Sequence, residues 1–160
     1  MCPASLEPLD DVDRAILHEL SLDGRASIST VADRVHVSRA NAYARVHRLV
    51  EQGVIDRFSV EVSPEAIGLG ASAFIGLNIA QDSWREVRTA LSRVPGVDHV
   101  ALCSGDVDVV VLARTSDIPS LRDLVLKEIR SIPGVQTTRT SIILEELRHG
   151  GLPGEPGDPT

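Results

Sequence analysis

The sequence predicts an α+β chain, with an N-terminal winged helix-turn-helix followed by a C-terminal ferredoxin-like β-α-β-β-α-β domain. Three observations predict it. Two short amphipathic segments, the second one basic, lie between Ser29 and Gly53. From Ala71 the apolar period changes from helical spacing toward runs and alternation. Helix, Pro-Gly-Val and strand then occur twice, at Val94-Pro95-Gly96-Val97 and at Ile132-Pro133-Gly134-Val135.

The first helix spans about Asp11 to Ser21, with Asp10 or Asp11 as cap and acids at its positive end. Val12, Ile16, Leu17 and Leu20 face inward, and Asp23-Gly24 ends it. Val31, Ala32 and Val35 mark a second helix, broken at His36-Val37. Ser38 is a good N-cap for the third, because its hydroxyl can accept from an unpaired amide one turn on. Ala42, Val46, Leu49 and Val50 form its apolar stripe, and Gly53 supplies the left-handed residue that closes it. Two helices joined by so short a turn are a helix-turn-helix. Val54 to Val62 then reads as a short strand beside them, a small wing.

Ser63-Pro64-Glu65 and Gly68-Leu69-Gly70 mark a linker. Beyond it we expect a strand over 71–80, a helix over 83–94 capped by Ser83, and strands over 97–104 and 107–113 around Gly105-Asp106. A helix over 119–132 capped near Asp117 and a last strand over 136–147 complete the order. Val87, Leu91 and Val94 face inward in the first of these helices, and Leu121, Leu124, Val125 and Ile129 in the second. The organisation is therefore 1–62 helix-turn-helix domain, 63–70 linker, 71–148 sheet domain and 149–160 tail. The tail holds four glycines and three prolines and is expected to be disordered.

Val107, Val109 and Val111 alternate with Val110 and Leu112, and Ile142 and Leu144 oppose Ile143. Strands apolar on both sides are buried on both. Two helices cover one face only, so the other face requires a partner, and a second copy of the chain serves. The sequence thus predicts a homodimer through the C-terminal sheet.

Composition narrows the function. The chain has 160 residues and a net charge of −7, yet 34–48 carries four arginines, two histidines and no acid. A basic stretch free of acids, centred on a helix-turn-helix, points to double-stranded DNA. Aromatics make up only 2%, against the stacking platforms of single-strand binders. No apolar run approaches a membrane span or a leader, which places the chain in the cytoplasm. Cys2 and Cys103 make no disulfide framework, and no zinc spacing, P-loop, GxSxG or HExxH pattern occurs. No metal, cofactor or catalytic group is expected. Cys103 reads as a strand-core residue.

Outside the stripe the recognition helix presents Arg39, Ala40, Asn41, Tyr43, Ala44, His47 and Arg48. Of these Arg39, Ala40, Asn41, Tyr43, His47 and Arg48, together with Ser38 at the helix start, are the candidate DNA-binding positions. Arg39 suits guanine and Asn41 adenine. Tyr43 suits a base or a phosphate. Arg45 and Arg48 suit phosphates, with Arg25 and Arg34 as outer candidates. Arg45 has an equal alternative, pairing with an acid of the first helix.

Laid end to end, the chain resembles the Lrp/AsnC (feast/famine) family of transcriptional regulators over about Leu9 to Leu147. The matching residues are Leu9-Asp10-Asp11-Val12-Asp13-Arg14-Ala15-Ile16-Leu17, Asp23-Gly24-Arg25 and Ser38, then the run from Arg45 through Gly53 to Ile55. Further on come Ser63-Pro64 through Gly68, Gly105-Asp106-Val107-Asp108 and Gly134-Val135. One departure is His36, at a turn position commonly glycine in the family, where positive φ is expected. Another is Ala42, where a larger aliphatic is common.

The resemblance implies a regulator that binds operator DNA as a dimer and assembles further as a tetramer of dimers. It also implies a small effector, typically an amino acid, bound in the C-terminal domain. For that site it nominates Gly105, Asp106 and Asp108, with Ser104, Thr138 and Thr140 as polar neighbours. Read without the resemblance, Gly-Asp is ordinary hairpin chemistry. Two alternatives stay open. Sirohaem decarboxylase subunits resemble the same architecture, although the C-terminal half offers only His99 and His149 as histidines. An effector-binding oligomer acting with paralogues is the other.

Overall fold

The computed structural model describes residues 8–147. Cys2, His149 and the expected tail lie outside them. The chain forms two compact units that meet in sequence at Glu61 and Val62.

The first unit holds α1 (Asp11–Leu22), α2 (Ile28–Arg34) and α3 (Arg39–Glu51). Each start is capped as its side chains dictate. Asp10 accepts from the Asp13 amide at 2.8 Å, and the Asp13 carboxylate accepts from the Asp10 amide at 3.2 Å, a reciprocal capping box. Ser27 caps α2, and Ser38 caps α3 by accepting from the Asn41 amide at 3.2 Å. His36 takes the left-handed turn position with φ 56°, and Gly53 closes α3 at φ 70°. Ile16, Val31, Val46 and Leu49 form the core, flanked by Leu9, Val12, Leu17 and Leu20.

Two expectations fail in this unit. Val50 lies outside the stripe and is 44% exposed. It follows Leu49 by one residue, a rotation of about 100° around the helix. The expected wing over 54–62 is not a strand, since the only sheet among the described residues belongs to the second unit. Alternation is present there, but Phe58 and Val60 are exposed and no partner strand accepts the backbone.

The second unit holds β1 (Ala71–Ile79), α4 (Trp84–Leu91), β2 (Val97–Leu102), β3 (Val109–Thr115), α5 (Ile118–Asp123) and β4 (Val135–Ile142). This is the expected β-α-β-β-α-β order. The strands lie β2-β3-β1-β4, each pair antiparallel. Ala73, Ile75 and Leu77 of β1 and Val109, Val111 and Ala113 of β3 pack against Val87, Leu91, Leu121, Val125 and Ile129 from the helices.

Local corrections have identifiable causes. Ser83 does not cap α4, because its own backbone is near-helical (φ −85°, ψ 1°) and the preceding turn runs through Asp82 at φ 69°. α4 stops at Leu91, with Val94 only packing against the core. The helix expected over 119–132 is regular only to Asp123. It widens into a π turn over Leu124–Glu128 and tightens into a 3-10 turn over Ile129–Ser131. Asp117 does cap it, accepting from the Ser120 amide at 2.7 Å. The hairpin claims residues 103–108, so β2 ends at Leu102 and β3 starts at Val109, with Cys103 donating its amide to the Asp108 carbonyl. Cys103 is therefore exposed rather than a core residue. β4 ends at Ile142 and is an edge strand, so Leu144 is exposed.

The face away from the helices carries Phe74, Val110, Leu112 and Ala101 among polar groups, by register. Phe74 is 48% exposed on it. Arg114 is nearly buried there, donating to Ser72, Asp98 and Glu146 at 3.0, 2.9 and 3.1 Å.

The two Pro-Gly-Val turns place Gly96 at φ 89° and Gly134 at φ 95°. A Cβ on Gly134 would stand 2.7 Å from that of Ser83. Gly134→Ala is expected to destabilise the sheet unit by about 1–3 kcal/mol, read as a lower urea midpoint.

Candidate nucleic-acid interface

The N-terminal half of α3 is its most open part. Ser38, Arg39, Ala40, Asn41 and Tyr43 are all exposed, as are Ala44 and His47. Arg39 sits at the first helical position, beside the positive end of the helix dipole. Tyr43 stacks on His47 with ring centroids 6.4 Å apart, and His47 Nδ1 lies 3.2 Å from Glu51. Arg25 is exposed just before α2, its backbone amide held by Asp23 at 3.0 Å.

The other arginines of the element face acids of the same unit. Arg34 pairs with Glu19 at 2.8 Å. Arg45 Nη1 donates to both oxygens of Asp10, at 2.8 and 2.7 Å, and to Asp13 Oδ1 at 2.8 Å. Its Nε donates to Asn41 Oδ1 at 2.7 Å. Arg48 Nη2 donates to Asp13 Oδ2 at 2.6 Å. Between them lies a cleft of about 290 Å³, lined by Asp10, Asn41, Ala44, Arg45 and Arg48.

Asp13 is the centre of this cluster, with its side chain only 1% exposed. Burial pushes its carboxyl up. Hydrogen bonds from Arg45, Arg48 and the Asp10 amide outweigh that and hold it below the usual range. The Asp13 amide and Arg45 hold Asp10 low in the same way. The partnership of Arg45 with the first helix was legible as an alternative. The matching role of Arg48 was not, although Arg45 and Arg48 at i, i+3 share a face.

In the second unit Ser104, Gly105 and Asp106 form an exposed turn, with Gly105 at φ 143°. Asp108 is half-buried and turned into the sheet. Its Oδ2 accepts from the Ile79 amide at 2.9 Å, and its own amide donates to the Leu77 carbonyl at 2.9 Å. It substitutes for a backbone acceptor just beyond the last β1–β3 pair, Leu77 with Val109. Asn78, which sequence reading missed, donates to the Asp106 carbonyl at 3.0 Å and accepts from Thr137 at 2.8 Å. Nothing in the local pattern marks Asn78, because its partners lie in the distant hairpin and on β4.

The six effector candidates do not form one cluster. Ser104, Gly105, Asp106 and Asp108 share the hairpin. Thr138 and Thr140 lie on β4, opposite Leu77 and Ile75 of β1. Thr140 lines a separate apolar cavity of about 260 Å³ with Ile118, Leu121, Arg122, Val125, Leu126 and Ile142. No helix among the described residues is long and apolar enough to cross a membrane.

Known proteins resemble both units. The AsnC-type helix-turn-helix domain model matches residues 9–50, and the Lrp/AsnC ligand binding domain model matches residues 72–153. The HTH-type transcriptional regulator FL11 of Pyrococcus horikoshii is 34% identical over 138 residues, covering 86% of this chain and 91% of its own. The transcriptional regulator NMB0573 of Neisseria meningitidis, solved with L-Met, superposes with TM-score 0.85 at 29% identity. It covers 91% of this chain and 97% of its own. The leucine response regulatory protein LrpA of Mycobacterium tuberculosis superposes with TM-score 0.75 at 33% identity, covering 88% of this chain and 95% of its own.

The lowered carboxyls of Asp10 and Asp13 make the helical unit acid-sensitive. Such groups add stability above the unfolded aspartate value of about 3.9, and that stability is lost as pH falls through the folded value. Thermal melts followed by helix circular dichroism should fall in midpoint below about pH 4. Asp13→Asn should cost about 1–3 kcal/mol at neutral pH and flatten the acid limb.

Proposed function

Because this chain belongs to the Lrp/AsnC family of helix-turn-helix transcriptional regulators, we propose that it binds operator DNA as a homodimer, each protomer laying α3 in a major groove. The observation that carries this reading is the exposed start of α3. Arg39 projects there without an ion-pair partner among the described residues, next to Asn41 and Tyr43. The first residues of such a helix are the ones that reach base edges. Arg39 matches guanine in bidentate fashion, and Asn41 keeps its amide donors and a second lone pair for adenine. Arg25 is an outer phosphate contact.

The dimer forms through the open face of the sheet, where Phe74, Val110 and Leu112 have no covering layer among the described residues of the second unit. Burying such a face against its own copy gives a two-fold interface. Dimers assemble further, as a tetramer of dimers. An amino acid is the effector, and the neisserial relative solved with L-Met supports that ligand class. Asp108 is occupied by the Ile79 amide, so the exposed Asp106 is the better carboxylate for an ammonium group, with Ser104 and Gly105 beside it. The regulator reading stands ahead of the decarboxylase one, since both matching family models describe regulators.

Gel-shift binding to the chain's own upstream region, against random DNA and with each common amino acid added in turn, tests the whole reading. Arg39→Ala should weaken operator binding by about 1–3 kcal/mol and random DNA by less. Equal losses on both would remove its base-reading role. Leu112→Asp should move the chain toward monomer in sedimentation. An unchanged oligomer would exclude the open sheet face as the interface.

A further inference from the structure

Three arginines of the helix-turn-helix pair with acids of the same unit, and two of them converge on one carboxylate. Asp13 lies at the start of α1, and Arg45 and Arg48 reach it from the middle of α3. The apolar contact between these helices, through Ile16, Val46 and Leu49, fixes which stripe of α3 faces inward but is tolerant of small rotations. Charge-assisted hydrogen bonds from guanidinium groups are directional and narrow that tolerance. The same Arg45 continues outward. Its Nε holds Asn41 Oδ1 at 2.7 Å, so a chain of contacts runs from a buried carboxylate to an exposed side chain on the base-facing end of α3.

We propose that Asp13 fixes the orientation in which the recognition helix meets DNA, and that Arg45 and Arg48 are positioning residues, with Arg45 orienting Asn41, rather than phosphate contacts. This rests on the DNA-binding reading above. It separates two kinds of arginine in one helix. Arg39 would neutralise DNA charge, whereas Arg45 would carry specificity without contributing a released counterion.

Salt dependence distinguishes them. Each phosphate contact contributes a slope of about −0.9 to the logarithmic dependence of affinity on salt. Fluorescence anisotropy would be run over a KCl series with two duplexes, the chain's own upstream region and a scrambled sequence of the same length. Arg39→Met should flatten the slope by about one contact per protomer. Arg45→Met, which keeps the aliphatic stem, should leave the slope unchanged and lower the preference for the upstream duplex about tenfold. Adding Arg45→Met to Asn41→Ala should lower that preference no further, because both remove one chain of contacts. A slope flattened by Arg45→Met as much as by Arg39→Met would overturn the proposal, and so would additive losses.

Hydrogen exchange on the DNA-free chain tests the anchor separately. Asp13→Asn should speed amide exchange along α3 at least about tenfold relative to α2. Unchanged protection of α3 would overturn the anchoring role. If the unsubstituted chain bound neither duplex, the regulator reading would fail, and the exchange result would still decide whether Asp13 holds the helix.

Discussion

A carboxylate almost wholly removed from water has to be paired and hydrogen-bonded on every side, and the N-terminal unit is built around that requirement at Asp13. The demand is met from three directions, by the Asp10 amide, Arg45 and Arg48. One residue therefore closes the capping box of α1 and ties that helix to α3. The core beside it is small, with Ile16, Val31, Val46 and Leu49 as its buried centre. In so small a core a directional polar contact adds a constraint on helix rotation beyond that of the apolar stripe.

The second unit obeys a different constraint. Both connections of a β-α-β-β-α-β chain place their helices on the same side of the sheet, so four strands receive one covering layer. The apolar alternation of β3 then has only half its partners within the chain. Val109 and Val111 are fully buried under the helices, whereas Val110 and Leu112 on the other side are only half-buried. Arg114 interrupts that open face with a charge, and it is tolerated because Asp98, Ser72 and Glu146 satisfy it. A face of this kind, apolar at its centre with a closed ionic cluster beside it, suits a specific two-fold contact better than indiscriminate adhesion.

Sequence reading recovered features governed by neighbouring residues and lost those governed by distant ones. The caps at Asp10, Ser38 and Asp117, the left-handed His36 and Gly53, and the inward faces of α4 and α5 all follow from side chains within a turn or two. The wing over 54–62 was misread because alternation describes a segment able to pair, while a strand exists only where another backbone accepts it. The π turn over Leu124–Glu128 was invisible for a related reason. It preserves the inward positions of Leu124, Val125 and Ile129, so the apolar pattern is the same with or without it. At the hairpin, Gly105-Asp106 was legible as a turn. The use of Asp108 as a surrogate backbone acceptor depends on the Ile79 amide of another strand, beyond the last β1–β3 pair.

The recognition element also shows how far a count of charges departs from the charge that a ligand meets. Its sequence holds four arginines and no acid between positions 34 and 48, inside a chain of net charge −7. In the folded unit Arg34 faces Glu19, and Arg45 and Arg48 face Asp10 and Asp13, acids that lie outside that stretch. The outward basic charge of α3 is therefore concentrated at Arg39. An acidic protein with so narrow a cationic contact gains little from long-range attraction to DNA. On the proposed DNA-binding reading, discrimination comes from close contacts at the start of α3, and the orientation of that helix then matters more than its total charge.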